Sequence, residues 1–528
     1  MSYTSYNYLF IFLGVTFIFY TVFPKKYKWT VLLAASAVFY LINSGCLAVF
    51  LLIAAVSVYL AGIFINRIND AFALAKKSLE KEERKKLKTI AAKQKKAVLT
   101  LAASVTFGIL LVLKYSGFFV SVIEDAAAHF GIKAEFTAFK FMLPLGISYY
   151  TLQAVGYITD VYRGKYRAEE NFGKLLLFLS FFPQITEGPI GRYDLLSETL
   201  FKGHSFDYDR FTKGLQRMAW GLFKKMVIAD RVNIFVSEVF GSYQKYSGSI
   251  ILFGGVLYTL QIYAEFSGCM DIVIGSAELF GVKLSENFRR PFFSKSVAEF
   301  WRRWHITLGA WLKDYVFYSV SLSKPFMRLS RFAKEHTNEF FGSVLPASFA
   351  MFFTWFGIGF WHGAGFKYIA YGLYYYALMM LGMYSGPLFD KLFAAVHINR
   401  NSKPLNLFGI LRTLALVVCG MMLFRAETAG IWLDMLKRVF TCFGGGTFST
   451  DVLLCGMDIN DFAVTALGAA LMLLIGILQE KGINVRDSVA GLVLPLRWAV
   501  YAGLVFSVII FGAYGVGYDA VDFIYGQF

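Results

Sequence analysis

Two histidines in aromatic, apolar stretches are the residues of this sequence best suited to chemistry. His305 ends the run Phe300-Trp-Arg-Arg-Trp-His305, and His362 lies within Gly359-Phe-Trp-His-Gly-Ala-Gly365. An ionisable side chain in such surroundings indicates a functional site, and glycines beside the ring let a ligand approach the backbone. Either histidine alone is also compatible with an interfacial residue bonded to a carbonyl. The other four lie in predicted loops: His129, His204, His336 and His397.

The sequence lacks the motifs of several other chemistries. It has no HExxH motif, no i,i+4 histidine pair and no Cys/His cluster, so neither a metal nor haem is expected. It also has no GxSxG nucleophile, P-loop or GxGxxG turn. A buried histidine without a nucleophile suits direct transfer, in which imidazole takes the proton of a hydroxyl that attacks an activated acyl group.

Composition places these histidines in a polytopic membrane protein. Of 528 residues, 57% are apolar and 16% are charged, against roughly 25% charged in soluble domains. A mean hydropathy of +0.55 leaves too little polar surface for a water-soluble body. The net charge of +17 comes from Lys and Arg between apolar runs, which favours cytoplasmic loops near anionic lipid over nucleic acid binding. Residues 1–23 carry no charge, so we expect no cleaved signal peptide.

Apolar runs predict an all-α polytopic protein with about eleven to thirteen membrane segments. The uncharged stretch 29–65 is interrupted by Asn43-Ser44-Gly45 and therefore predicts a helical hairpin. Segment 264–318 is too polar to span and too apolar for a solvated loop. The other candidate spans are 7–23, 98–113, 142–158, 171–186, 214–238, 249–266, 345–361, 366–385, 408–424, 462–479 and 493–514.

Charge distribution predicts the orientation of the chain. Residues 67–96 contain eleven Lys or Arg, four Asp or Glu and no Pro or Gly, which is typical of an amphiphilic helix in a cytoplasmic loop. The N-terminus is then external. Lys25, Lys26 and Lys28, after the first apolar run, agree with this orientation.

The run Tyr263–Gly275, continued through Glu286–Pro291 and Phe300–Tyr315, resembles the membrane-bound O-acyltransferase (MBOAT) family, especially its bacterial alginate O-acetyltransferase branch. Further strings follow in family order: Phe181-Phe-Pro-Gln184, Gly188-Pro189-Ile190, Arg192-Tyr193, Phe360–Gly365 and Leu423–Glu427. One stretch departs from the branch, because Tyr318–Pro325 replaces its usual Pro-Leu-Gly-Gly turn. The resemblance predicts a core over residues 1–430, with the C-terminal loop and additional transmembrane helices over 431–528.

The resemblance also implies a multi-helix body with a central funnel and tunnel. His362 matches the family's catalytic histidine and His305 its second histidine, which lines or shapes the tunnel. Tunnel residues for substrate or donor are then Trp361, Trp304, Arg302, Arg303, Asp271 and Pro189.

Several of these residues have alternative interpretations. Arg302 and Arg303 either face anionic lipid or hold the phosphates of a CoA or carrier pantetheine arm. Ion-pair partners for these arginines are expected at Asp271, Glu187 and Asp314. If Trp304 and Trp361 do not line a tunnel, they are packing residues or lie at the membrane interface.

These observations lead to an integral membrane O-acyltransferase as the predicted function. The resemblance implies that it moves acetyl groups from a cytoplasmic thioester, acetyl-CoA or an acyl carrier, for O-acetylation of an exported or cell-envelope polysaccharide. We expect no bound cofactor, a multi-pass location in the bacterial cytoplasmic membrane, and an extracytoplasmic acetyltransferase partner. The alternatives are D-alanyl transfer from a carrier protein to teichoic acid, and a transporter of acyl groups or glycans without chemistry.

Overall fold

The computed structural model describes residues 1–132, 142–397, 399, 402–444 and 452–514. These residues form helices joined by turns, and the extended pairing within them is one isolated antiparallel bridge between Phe288 and Trp304. The predicted all-α class is therefore confirmed.

The first part of the chain forms helices separated by short turns. Short π-helical turns occur at Asn7–Phe12, Leu111–Tyr115 and Phe223–Ala229. The helices are α1 Leu13–Val22, α2 Lys28–Ser44, α3 Ala48–Ala75, α4 Lys81–Leu110, α5 Ser116–His129, α6 Ile147–Arg163, α7 Phe172–Ser180, α8 Tyr193–Leu200, α9 Tyr208–Leu222 and α10 Asp230–Gly241.

The remaining part begins with a long helix, continues through short ones and returns to long helices. A π-helical turn at Lys313–Phe317 joins two of the short helices. The helices are α11 Gly248–Leu279, α12 Val297–Arg303, α13 Ile306–Leu312, α14 Tyr318–Ser321, α15 Lys324–His336, α16 Glu339–His362, α17 Phe366–Ala395, α18 Lys403–Arg425, α19 Ala429–Thr441, α20 Ile459–Glu480, α21 Val485–Ala490 and α22 Leu494–Phe511.

The chain divides into two compact units. Unit 1 contains Met1–Gly214 and Val273–Ser285, and unit 2 contains Leu215–Ile272 and Glu286–Phe528. The boundary expected between residues 430 and 431 concerns a different division, into a core and appended helices, and stays a prediction.

Seven segments of the described chain are long and apolar enough to cross a membrane. They are Lys25–Ala75, Lys81–His129, Gly248–Leu279, Glu339–His362, Lys403–Arg425, Ile459–Glu480 and Leu494–Phe511. The first contains both α2 and α3, and the second both α4 and α5. The count is lower than the predicted eleven to thirteen partly because apolar runs such as 171–186 form helices too short to span, here α7 with nine residues. The protein is a multi-pass membrane protein.

The helical hairpin predicted at 29–65 is present as α2 and α3. Gly45 ends α2 with φ +52°, in the left-handed region that favours glycine, so the turn falls where the sequence places it. The expected loop helix over 67–96 is not a separate element. These residues form the end of α3, a turn at 76–80 and the first half of α4. Their Lys, Glu, Ala and Leu content favours helix, so both spans continue past their apolar parts.

Candidate active site

His362 is the last residue of α16 and lies inside unit 2, with 4% of its surface exposed. The chain leaves the helix through Gly363 in an extended conformation. Aromatic rings surround the imidazole: centroid distances are 5.1 Å to Trp361, 5.3 Å to Phe424 and 5.9 Å to Tyr371. The last two rings stand at 87° and 90° to it. The pocket thus encloses one histidine with rings from α16, α17 and α18.

Close packing of α16 against α17 builds this pocket. A Cβ on Gly359 would lie 2.3 Å from the Tyr368 carbonyl oxygen, and one on Gly372 would lie 2.3 Å from the Trp355 carbonyl oxygen. Both distances are far inside van der Waals contact, so only glycine allows the two backbones to come this close. The crossing brings Tyr371 of α17 to the ring of His362.

His305 occupies the junction between α12 and α13. It adopts φ +47° and ψ +50°, a left-handed conformation that is uncommon outside glycine, although histidine adopts it more often than most residues. Two backbone hydrogen bonds tie this junction to the preceding loop: Arg289 N–H donates to the Arg303 carbonyl, and Ile306 N–H donates to the Asn287 carbonyl. The strained residue is therefore held by long-range pairing, and such strain is concentrated at functional sites.

The side chain of Asn287, fully buried, orients the imidazole of His305. Its Oδ1 accepts from the Thr307 backbone N–H at 3.0 Å and the Thr307 hydroxyl at 2.9 Å, and lies 3.3 Å from His305 Nδ1. A backbone N–H can only donate, so the atom it meets is the amide oxygen and the amide orientation is determined. Nδ1 of a neutral His305 must then carry the proton, and Nε2 carries the lone pair.

One indole links the two histidines. The Trp361 ring lies 5.7 Å from His305 and 5.1 Å from His362, measured between ring centroids. His305 is 3% exposed, and burial lowers its pKa to about 3, so it is neutral at physiological pH. An imidazole with so low a pKa is a weak base, so His305 is better suited to orientation than to removing a proton from a hydroxyl.

The other predicted residues of unit 2 are placed differently. Trp304 packs edge-on against Phe288 at 5.0 Å and stacks on Phe300 at 5.4 Å. Arg303 is half-buried and paired with Glu299 and Glu480, whereas Arg302 is exposed. Trp304 thus belongs to the aromatic packing beneath His305, and Arg302 is the arginine that solvent or a ligand reaches.

The expected ion pair between Asp271 and these arginines is wrong. Asp271 binds Lys224 at 2.6 Å and the Arg217 Nε at 2.9 Å, because α11 faces α9 and the turn after it. Arg217 also binds Glu286, the residue before Asn287. Asp271 is thereby connected through Arg217 and Glu286 to the loop that orients His305.

Pro189 belongs to unit 1, whereas the other seven predicted site residues belong to unit 2. It lies in an irregular, buried segment between the turn at 182–187 and α8. Helical structure is interrupted at Pro189, and the place of this residue along a tunnel stays a prediction.

Sequence reasoning missed three residues of this site as functional candidates: Asn287, Tyr371 and Phe424. Asn287 and Phe424 lie in strings that carry the family resemblance, Glu286–Pro291 and Leu423–Glu427. Their position in these strings is a signal that could have marked them as site residues. Tyr371 has no such signal, because only the crossing of α17 over α16 brings it to His362.

Metal coordination is not evident in the described part of the chain. Across residues 1–132, 142–397, 402–444 and 452–514, no group of three His, Cys, Asp or Glu side chains is arranged to hold an ion.

Comparisons with known proteins bear on the same region. The profile of the MBOAT, membrane-bound O-acyltransferase family matches residues 170–422, which include both histidines. The chain is 31% identical to the probable alginate O-acetylase of Pseudomonas aeruginosa over 84% of its length and 75% of the relative. It is 31% identical to the peptidoglycan O-acetyltransferase of Helicobacter pylori over 52% of this chain and 53% of the relative. It is 30% identical to the teichoic acid D-alanyltransferase of Bacillus subtilis over 44% of this chain and 58% of the relative.

Proposed function

The chain belongs to the membrane-bound O-acyltransferase family and is a membrane O-acyltransferase, and we propose that it supplies acetyl groups to an exported or cell-envelope polysaccharide. The match to an alginate O-acetylase over most of both chains supports this acceptor class. We place the enzyme in the bacterial cytoplasmic membrane, where such a polymer is exported.

One observation carries the assignment of the reacting residue: His362 is enclosed by Trp361, Tyr371 and Phe424 at the end of a membrane-spanning helix. Ionisable residues at such positions are rare without a function. The same Trp361 contacts His305, so one ring joins the two histidines that carry the family resemblance.

In the proposed step, the neutral imidazole of His362 removes the proton of the acceptor hydroxyl. The hydroxyl oxygen attacks the thioester carbonyl, a C–O bond forms, and the C–S bond breaks. The departing sulfur takes the proton from the imidazolium and leaves as a thiol. His305 is a positioning residue, whose Nδ1–H is held by Asn287 and whose ring packs on Trp361.

The donor in this proposal is an activated thioester that arrives from the cytoplasm, acetyl-CoA or an acyl carrier. The exposed Arg302 is available for a phosphate of either donor, since guanidinium groups bind phosphate by charge-assisted hydrogen bonds. A funnel and tunnel joining the two membrane faces are part of the proposal. A secreted acetyltransferase that completes the transfer to the polymer is its partner.

D-alanyl transfer to teichoic acid is the second candidate. A teichoic acid D-alanyltransferase is 30% identical, but over 44% of this chain. The alignment to the alginate O-acetylase extends over 84%, which favours acetyl transfer to polysaccharide.

Replacement of His362 tests the reaction. We expect purified His362→Ala protein in vesicles to transfer acetyl from acetyl-CoA or acetyl-carrier roughly 10² to 10⁴ times more slowly, because general base catalysis is lost. Donor binding should persist. His336→Ala is the matched control, because His336 is an exposed histidine on α15; it should retain wild-type turnover.

Turnover must be measured per folded, monodisperse molecule. A purely structural histidine would lower the yield or the melting temperature while leaving the rate per molecule intact. Wild-type turnover by folded His362→Ala protein would contradict the role of this histidine. D-alanine transfer in place of acetyl transfer by the wild type would favour the second candidate.

A further inference from the structure

A large cavity lies within unit 2, beside the C-terminal helices. The rings around His362 do not line it, but Asn287, which holds His305, does. Its volume is about 900 Å³. One wall consists of apolar side chains from α20 and α22, including Leu471, Ile475 and Leu504. The opposite wall comes from α9, α11 and the loop that follows α11. A cavity of this size accommodates a large ligand.

The acidic and basic side chains of the polar wall neutralise one another. Asp271 binds Lys224 and Arg217, and Arg217 also binds Glu286. These four side chains form a closed ion-pair cluster of two positive and two negative charges. The cluster therefore offers no net charge to a ligand.

Three arginines outside this cluster, Arg289, Arg290 and Arg486, also line the cavity, and the part that they line is called its mouth here. Arg290 is paired with Glu480, but Arg289 is exposed and forms no ion pair within the described residues. An anionic group seated here would meet an unneutralised guanidinium, which binds phosphate well.

The outer boundary of the cavity faces lipid. In α22 the apolar window is 0% buried, and in α20 it is 11% buried. Both helices are apolar enough to span the membrane, so their outer faces lie in hydrocarbon. The apolar wall of the cavity is thus built by two helices that border the bilayer.

Charge distribution places the mouth on the cytoplasmic side. Lys481, Arg486 and Arg497 follow the Glu480 end of α20, whereas residues 442–458 before α20 contain no Lys or Arg. The positive-inside rule then puts the Glu480 end in the cytoplasm. Anionic phospholipids are abundant in that leaflet, and basic pockets between transmembrane helices bind their headgroups.

We propose that this cavity is a binding site for an anionic phospholipid. Its phosphate lies at Arg289, and its acyl chains lie along Leu471, Ile475 and Leu504. The lipid fills the space between α20–α22 and the ion-paired wall, and so fastens the C-terminal helices to the rest of unit 2. The proposal does not depend on the acyl group or the acceptor of the enzyme.

Gly503 provides a sharp test because it lines the cavity and a Cβ on it would meet no atom within 4 Å. Gly503→Phe should fill the cavity without moving the helix. Gly382→Phe is the matched control: Gly382 is an exposed helical glycine with the same free space, and it does not line the cavity. Delipidated full-length proteins would be incubated with phosphatidylglycerol or phosphatidylcholine in detergent and analysed by native mass spectrometry.

We expect wild type and Gly382→Phe to retain one phosphatidylglycerol in preference to phosphatidylcholine, and Gly503→Phe to lose it. Arg289→Ala should bind about fivefold more weakly, the effect of one basic residue near an anionic surface. Arg84→Ala, on the exposed start of α4, should bind as wild type does. Equal retention of both lipids, or retention unchanged by Gly503→Phe, would overturn the proposal. So would an acetyl-CoA adduct that Gly503→Phe abolishes, because the cavity would then be a donor site.

Discussion

At the scale of single residues, the orientation of His305 depends on the buried amide of Asn287. Asn287 receives two hydrogen bonds from Thr307 and one from His305 at a single buried oxygen. This arrangement assigns the proton of His305 to Nδ1. It also connects the junction of α12 and α13 to the loop after α11, so the orientation of His305 depends on one amide.

Substitution of Asn287 should separate orientation from folding. Asn287→Ala leaves several buried donors without an acceptor, and we expect it to lower the free energy of unfolding by about 1–3 kcal/mol. We also expect kcat to fall more than KM changes, because His305 is released while the donor site is intact. Thr307→Val removes a single donor and keeps the acceptor, so its effects should be smaller.

The measurements are thermal melting and steady-state acetyl transfer in the same preparation. A melting temperature lowered in Asn287→Ala with an unchanged kcat would show that the residue is structural alone.

At the scale of elements, the crossing of α16 and α17 determines the shape of the pocket. Gly359 and Gly372 bring the helices together, and Trp355, Tyr371 and Tyr375 pack across the contact. Larger residues at either glycine would push the backbones apart and move Tyr371 away from His362.

Two glycines on the same helix allow this to be tested with a matched pair. Gly359→Ala places a methyl group 2.3 Å from the Tyr368 carbonyl oxygen, whereas in Gly357→Ala the nearest neighbour is Leu312 at 3.8 Å. We expect Gly359→Ala to destabilise the protein by about 1–3 kcal/mol, the usual cost of overpacking, and to reduce transfer. Gly357→Ala should match wild type in both.

Melting temperature and turnover per folded molecule check this prediction. Equal behaviour of the two variants would mean that the helix contact tolerates displacement and does not shape the pocket.

At the scale of the whole molecule, the charge pattern predicts an external N-terminus and a cytoplasmic turn at 76–80. Cysteine labelling in intact cells tests both ends of α3. Cys46 is exposed in the turn between α2 and α3 and should react with an impermeant maleimide from outside. Ser78→Cys, exposed in the turn after α3, should react only after permeabilisation.

The exposed Cys442 is replaced by serine in both proteins, and Cys46 is also replaced in the Ser78→Cys protein, so that each protein reports one position. If Ser78→Cys reacts in intact cells and Cys46 does not, the orientation is the opposite of the predicted one and the polybasic turn lies outside.

The sequence by itself determines the class of this protein, because hydropathy and charge act over neighbouring residues. Long apolar runs specify the spanning helices, Gly45 specifies the turn after α2, and local strings identify His305 and His362 as the reactive candidates. Local patterns fail where an element depends on its neighbours. They assign 67–96 to one loop helix, although the residues continue two spanning helices around a turn.

Only the tertiary structure decides which distant residues meet. It places both histidines on Trp361, joins Asn287 to His305, and gives Asp271 to Lys224 and Arg217 instead of the expected arginines. These contacts join residues from separate helices, and their distances follow from how the helices pack. The physical reason is that an ion pair or hydrogen bond depends on separation in space, about which spacing along the chain carries little information.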